Sequence, residues 1–266
     1  MIPISKGHAY GNDFLLAPRA DVRSAGADDG VLARAMCHRH EGVGADGLIL
    51  YELRDDGAAM TLFNADGSPS ELSGNGLRCL AALVARTRRL SAGDTVAVDT
   101  GAGRKTLELL SIEGMRYSFR AALGLPTDIR QVTIPVLGES VRATTLGMGN
   151  PQCVVLGELP DLDRFNRLGQ ALSTHAMFPA GTNVEFAHVE SADTVRIVIW
   201  ERGVGPTTSS GTGSSASAVA AASHGGASRD LQVISPGGTQ RVEWRDDGVY
   251  LTGWAELVFD ANWLLT

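Results

Sequence analysis

No run of about 18 apolar residues occurs in the 266-residue chain, so no transmembrane helix is expected. The opening stretch, MIPISKGHAYGNDF, has no apolar h-region, and no secretory leader is expected either. Basic residues nowhere form a run. The 23 Lys and Arg stand against 30 Asp and Glu, a formal charge of −7, which argues against a nucleic-acid partner. Cysteine is scarce and odd in number. Cys37, Cys79 and Cys153 lie far apart in apolar contexts, which excludes a disulfide framework and fits reduced thiols in a cytoplasmic protein. A G-x-S-x-G elbow and a Walker loop are both missing. His38 and His40, two apart in CHRHE, would fall on different faces of a helix and have no second ligand cluster, so no metal site is expected. GVGADG at Gly42 to Gly47 satisfies G-x-G-x-x-G, but it follows a helical stretch and precedes the strand-like LILYEL, the reverse of the dinucleotide-binding order.

What is present is an ordinary globular composition, 44% apolar and 20% charged, with 32 glycines. The length allows one large domain or two of about 130 residues. A repeat decides for two. MTLFNADGSPSELSGNGLRCLAALVAR resembles VRIVIWERGVGPTTSSGTGSSASAVAAAS, with Asn64 against Glu201, Ser73 against Ser210, and Gly74 and Gly76 against Gly211 and Gly213, each 137 residues apart. GNDF falls against GNPQ, GADG against GTNV and DTGAG against SPGGT at offsets of 136 to 138. The expected division is 1–118 and 119–253, with the junction near Arg116 to Leu125 and a last strand, 254–266, returning to the first domain.

Each half reads as short β-rich runs around one or two helices: AAMTLFN, TVAVDT, KTLELLSI and RYSFRA in the first, and TNVEFAHV, TVRIVIW, RVEW and VYLTGWAELVF toward the end. A helix is predicted from Ser73 to about Leu90, with Leu77, Leu80, Ala81 and Val84 at helical spacing and Arg86, Arg88 and Arg89 in its last turn. A second follows Ser210, built of small residues and stopped by Gly225-Gly226, a composition that points to a helix enclosed by sheet. A third is predicted from Asp28 to His40. Leu123 to Arg130 and Gly157 to Ala180 read as loops.

In both copies Ser-Gly-(Asn/Thr)-Gly opens a helix. The first N–H groups of a helix lack internal partners and carry the positive end of its dipole, so such a start is built to bind a carboxylate or phosphate, and glycine admits the ligand close to the backbone. The pseudo-two-fold repeat predicts that the two starts face one another across a cleft, with one anion between them and Ser73 and Ser210 on either side. A serine at this position also has a simpler role as an N-cap, worth about 1 kcal/mol.

At these residues the sequence resembles the diaminopimelate epimerase family. The resemblance rests on GNDF at Gly11, GVGADG at Gly42, NADGS at Asn64, GNGLRC at Gly74, GNP at Gly149, GTNVEF at Gly181, ERGVG at Glu201 and GTG at Gly211, in the family's order and over nearly the whole chain. It implies an α+β fold of two pseudo-symmetric domains, each a mixed β-sheet barrel wrapped around a central α-helix. It implies an isomerase of amino-acid (lysine) biosynthesis, working on diaminopimelate or a related amino acid without pyridoxal phosphate or metal, and it permits a homodimer. Carried over, the backbone of Gly74, Asn75, Gly211 and Thr212 would hold the substrate carboxylate. Asn64, Glu201 and Arg202 would hold the amino group or the distal end, and Asn12, Asn150 and Asn183 would complete the shell.

The family's reaction uses one cysteine thiolate to remove the α-proton and a second to return one on the opposite face. This chain has Ser73 and Ser210 at those positions. A thiol titrates near pH 8.5 and is readily driven to thiolate at a helix start, whereas a serine needs a neighbouring base. Helix dipoles of roughly 1–2 kcal/mol each cannot make up the difference. Gln152 stands where the family has histidine and Pro206 where it has glutamate, a pattern that favours natural divergence over a pair of engineered changes. Glu201 then becomes the candidate general acid/base beside Ser210, with an ion pair to Arg202 as its simpler role. Three readings follow: an epimerase or racemase of altered activity, a one-base isomerase, tautomerase or lyase relying on Glu201, and a non-catalytic amino-acid-binding homologue.

Overall fold

The computed structural model describes residues 1–70 and 73–264. The chain divides into two compact units, Met1–Ala121 with Gly253–Thr266, and Ala122–Thr252. In chain order the first contributes β1 (Ile2–Ala9), β2 (Asn12–Pro18), α1 (Arg19–Ser24), α2 (Asp29–Cys37), β3 (Gly47–Arg54), β4 (Gly57–Asn64), β5 (Pro69–Ser70), α3 (Gly74–Arg88), β6 (Thr95–Thr100), β7 (Gly103–Glu113) and β8 (Arg116–Gly124). The second contributes β9 (Thr127–Val136), β10 (Glu139–Gly147), β11 (Pro151–Leu156), α4 (Leu162–Ser173), β12 (Asn183–Ser191), β13 (Thr194–Glu201), β14 (Gly205–Thr207), α5 (Gly211–Ala220), β15 (Asp230–Ser235) and β16 (Gly238–Arg245). β17 (Gly248–Trp263) begins against β16, and its later residues pair with β1. Residues 265 and 266 of the predicted returning strand lie outside the described residues.

The duplication extends to strand pairing. In the first unit β1–β2 is antiparallel, β2–β3 parallel, β3–β4 antiparallel, β4–β6 parallel and β6–β7 antiparallel. In the second the same alternation runs through β10–β11, β11–β12, β12–β13, β13–β15 and β15–β16. Each parallel pair needs a crossover. The crossover from β4 to β6 contains α3, and that from β13 to β15 contains α5. The result is a mixed barrel-like sheet around one central helix in each unit.

Both central helices are buried on every side, as a helix inside a sheet must be. Every residue of α3 from Asn75 to Ala85 is buried, and the helix packs with Phe14, Leu62, Val98, Leu107 and Phe119. Every residue of α5 from Gly213 to Ala220 is buried among Val154, Ile197, Val233 and Leu251. The outer faces carry other cores: α1 and α2 supply Val22, Leu32 and Met36, and α4 supplies Phe165, Leu168 and Leu172.

Several expectations are corrected. α4 occupies part of the stretch read as a loop. Its Asp161 cap accepts from the Arg164 N–H, and Phe165, Leu168 and Leu172 lie on one buried stripe. β8 runs to Gly124 and β9 starts at Thr127, so the other expected loop shrinks to the two residues between them. α2 ends at Cys37, so His38 and His40 are not helical. The His38 ring accepts from the Glu41 N–H, which favours a turn there. α5 gives way to a π-helical turn, Ala221–Gly225, before Gly226 ends it with φ of 77°.

Candidate functional site

The two helix starts have the same local geometry. Ser73 and Ser210 are extended, with φ of −128° and −140°, and each Oγ accepts from the N–H three residues on, Gly76 or Gly213, at 3.1 Å. Each serine carbonyl takes the next N–H, from Leu77 or Ser214. That leaves the N–H groups of Gly74 and Asn75, and of Gly211 and Thr212, without partners among the described residues. Two unpaired, positively polarised donors at the start of a helix suit an anion. The glycines divide by cause. A Cβ on Gly74 would meet nothing within 4 Å, leaving the backbone open to a ligand. A Cβ on Gly76 would press on Ile49 at 3.1 Å, and one on Gly213 would sit 2.7 Å from Glu185 Oε1. Packing rather than ligand approach therefore dictates those two.

In the first unit the donors adjoin a polar chain. Arg78 Nη2 donates to Asn75 Oδ1 at 2.5 Å, Asn75 Nδ2 to Asn12 Oδ1 at 3.2 Å, and Asn12 Nδ2 to Asp46 Oδ2 at 2.7 Å. Arg39 pairs with both Asp46 and Asp13, and Lys6 with Asp13. Burial alone would raise the Asp13 pKa, but bonds from Arg39 and Lys6 outweigh it and hold the carboxyl below its ordinary range. Asn64 stands apart, donating from Nδ2 to Ser68 Oγ at 2.9 Å in the turn after β4.

In the second unit, β11, β12 and β13 turn Gln152, Glu185 and Glu201 to the sheet face that covers α5. Gln152 Nε2 donates to Asn150 Oδ1 at 2.5 Å. Asn183 Oδ1 accepts from the Arg202 N–H at 2.9 Å, and the Arg202 guanidinium donates to the Ala180 carbonyl. Arg202 is thus engaged elsewhere, and Glu201 has no ion pair among the described residues, which removes the simpler role for this carboxylate. Burial raises the Glu201 pKa above the usual carboxylate range. Glu185 is fully buried. Desolvation and then the neighbouring charge of Glu201 push its pKa well up, and neither carboxyl oxygen has a partner among the described residues.

The three cysteines do not replace the expected thiolates. All are buried, and desolvation pushes each thiol up to about 12. Among the described residues no group of three or more His, Cys, Asp or Glu could hold a metal ion, and no helix is long and apolar enough to cross a membrane. Arg78, Asp46 and Glu185 are polar residues at these sites that sequence reasoning passed over. Arg78 sits inside an apolar helix and Glu185 inside an apolar strand. Their only sequence signal is a charge where the pattern calls for none.

Comparison with known proteins is specific. The diaminopimelate epimerase family model matches residues 4–120 and 144–258. A diaminopimelate epimerase of Desulforudis audaxviator is 43% identical over 98% of this chain and 98% of its own length, and one of Desulfitobacterium hafniense is 39% identical over 96% of each. The structure of a predicted epimerase from Pseudomonas aeruginosa superposes with a TM-score of 0.74 over 100% of both chains at 14% identity, a likeness of fold. The chain belongs to the diaminopimelate epimerase family, a family of isomerases.

Proposed function

We propose that the protein is a cofactor-independent isomerase that moves a proton at the α-carbon of an amino acid, LL- or meso-diaminopimelate or a close relative, and that Glu201 is the group that moves it. The single observation carrying this reading is a half-buried carboxyl, unpaired among the described residues and raised in pKa by burial, in the unit whose helix start offers N–H groups without partners among those residues. Glu201 as carboxylate takes the α-proton, and the electron pair left on carbon delocalises into the substrate carboxylate. The N–H groups of Gly211 and Thr212 stabilise the charge that develops there. Arg202, Asn150 and Asn183 form the surrounding shell in the same unit. Ser73 and Ser210 act as caps. Their hydroxyls accept from the backbone and donate to no base among the described residues, and a serine hydroxyl alone is too weakly acidic to serve as the family's thiols do.

One base returns its proton to the face it came from, and inversion needs a proton on the opposite face, which in this reading only solvent water supplies, slowly. The reading therefore predicts exchange of the α-hydrogen with solvent faster than inversion. In deuterium oxide, wild-type protein exchanges the α-hydrogen of LL-diaminopimelate, and Glu201→Gln loses about 10²–10⁴-fold of that rate. Less than a tenfold loss sinks the role of Glu201. Ser73→Ala leaves exchange nearly intact, while cysteine at both 73 and 210 raises exchange and adds inversion. Because the reacting form is the carboxylate, exchange rises with pH through the raised Glu201 pKa, above the ordinary value near 4.3. The serine caps favour one competing reading, an amino-acid-binding homologue. It predicts affinity for the amino acid with no exchange at any pH.

A further inference from the structure

We infer that Arg78 is a positioning residue that turns the start of α3 into a donor-only cradle for a carboxylate by fixing the amide directions of Asn75 and Asn12. This deepens the reading above, in which that carboxylate belongs to the substrate.

Hydrogen-bond polarity fixes both amides. A guanidinium only donates and an ionised carboxylate only accepts, while an amide does one at each end. The chain Arg78 to Asn75 to Asn12 to Asp46 begins at the first kind of group and ends at the second. Between such ends both amides have one allowed direction. Reversing either would set donor against donor on one side and acceptor against acceptor on the other. The far end is held as well. Asp46 accepts from Arg39 Nη2 at 2.7 Å and from the Asp13 N–H at 3.0 Å. Each amide spends its oxygen and one N–H within the chain and keeps one N–H. Together with the backbone N–H groups of Gly74 and Asn75, unpaired among the described residues, the start of α3 offers donors, and the oxygens of these two amides are already engaged.

Charge points the same way. Arg78 is 3% exposed, and its Nε is buried with no partner among the described residues. Its guanidinium lies 5.6 Å from the Tyr10 ring centroid, and no carboxylate pairs with it among the described residues. A buried cation left without an anion gains most when one arrives. The fold does not require this cation. The residue 137 positions on is Ser215, buried in α5, and the second unit builds the same helix start without a guanidinium.

The test measures carboxylate binding by nitrogen–proton NMR of the full chain, following the Gly74 and Asn75 backbone amides and the Asn12 and Asn75 side-chain amides. The probes are propionate, its neutral analogue propionamide, and LL-diaminopimelate. In the wild type, propionate and LL-diaminopimelate shift these signals. Arg78→Met weakens both by about tenfold or more, and Arg78→Lys, which keeps charge and a donor, recovers much of the loss. The response to propionamide stays the same in all three proteins. Arg78→Met binding propionate with wild-type affinity overturns the inference, as does a wild type that binds no carboxylate at these amides. If propionate binds in an Arg78-dependent way but LL-diaminopimelate does not bind, the substrate reading fails and this one stands. If Arg78→Met does not fold, Asp46→Ala, which removes the terminal acceptor, replaces it at the exposed end of the chain. A several-fold loss for propionate with an unchanged melting temperature supports the directed chain, and unchanged affinity overturns it.

Discussion

Behind the first turn of α3 lies a guanidinium, Arg78, and behind the first turn of α5 lies a carboxyl, Glu185. The two units share their strand pairing, their serine caps and a pair of N–H groups without partners among the described residues. They differ in the charge buried underneath. Strand alternation and capping are backbone matters that tolerate many side chains, so the duplicates keep them. Buried charge is set by single residues, and there the copies have parted. One half-site is electrostatically ready for an anion. The other holds two carboxyls, Glu185 and Glu201, both raised in pKa, which suits proton exchange.

The largest test of this comparison lies in the helix interiors. Leu80 in α3 corresponds to Ser217 in α5, and both are fully buried. Leu80→Ala removes packed apolar volume and is expected to destabilise by about 2–5 kcal/mol, read from the urea midpoint. Ser217→Ala removes a hydroxyl with no partner among the described residues and is expected within about 0.5 kcal/mol of the parent. Equal losses at the two positions would mean that α5 is packed as tightly as α3.

Next in size is Glu185→Gln. Glu185 binds its proton more tightly folded than unfolded, so its contribution to stability is full below the unfolded value near pH 4.3 and is lost as pH rises toward the raised folded pKa. Gln abolishes that decline. The variant should match or trail the parent in acid and exceed it above about pH 4.3, with the gap widening by about 1.4 kcal/mol per tenfold difference in proton affinity. Parallel stability curves for the two proteins across this range would show Glu185 ionising as an ordinary surface acid.

The smallest effect sharpens what the units have in common. Ser73→Ala and Ser210→Ala each remove one cap bond at 3.1 Å and should cost about 1 kcal/mol, the same within a few tenths. A much larger loss at Ser73 would reveal a role beyond capping in the first unit.

Much of this is legible in the sequence. The repeat at 137 residues, the helix after Ser73 and the small-residue helix after Ser210 follow from spacing and composition. α4 carried a readable signal, an Asp161 cap and an apolar stripe, hidden by Gly169 and the polar residues around it. β1, β2 and β9 to β11 were harder, because a short strand declares itself through neighbours that are distant in sequence.

The chain's one-dimensional pattern determined the duplication, the placement of serine and glycine at both helix starts, and the family. These depend on residue identity and local backbone preference. Tertiary structure alone decided that Arg78 and Glu185 are enclosed, that Glu201 is free of Arg202, and that Asn12 and Asn75 join in one directed chain. Solvation and polarity at a residue depend on which segments fold over it, and no local pattern encodes that.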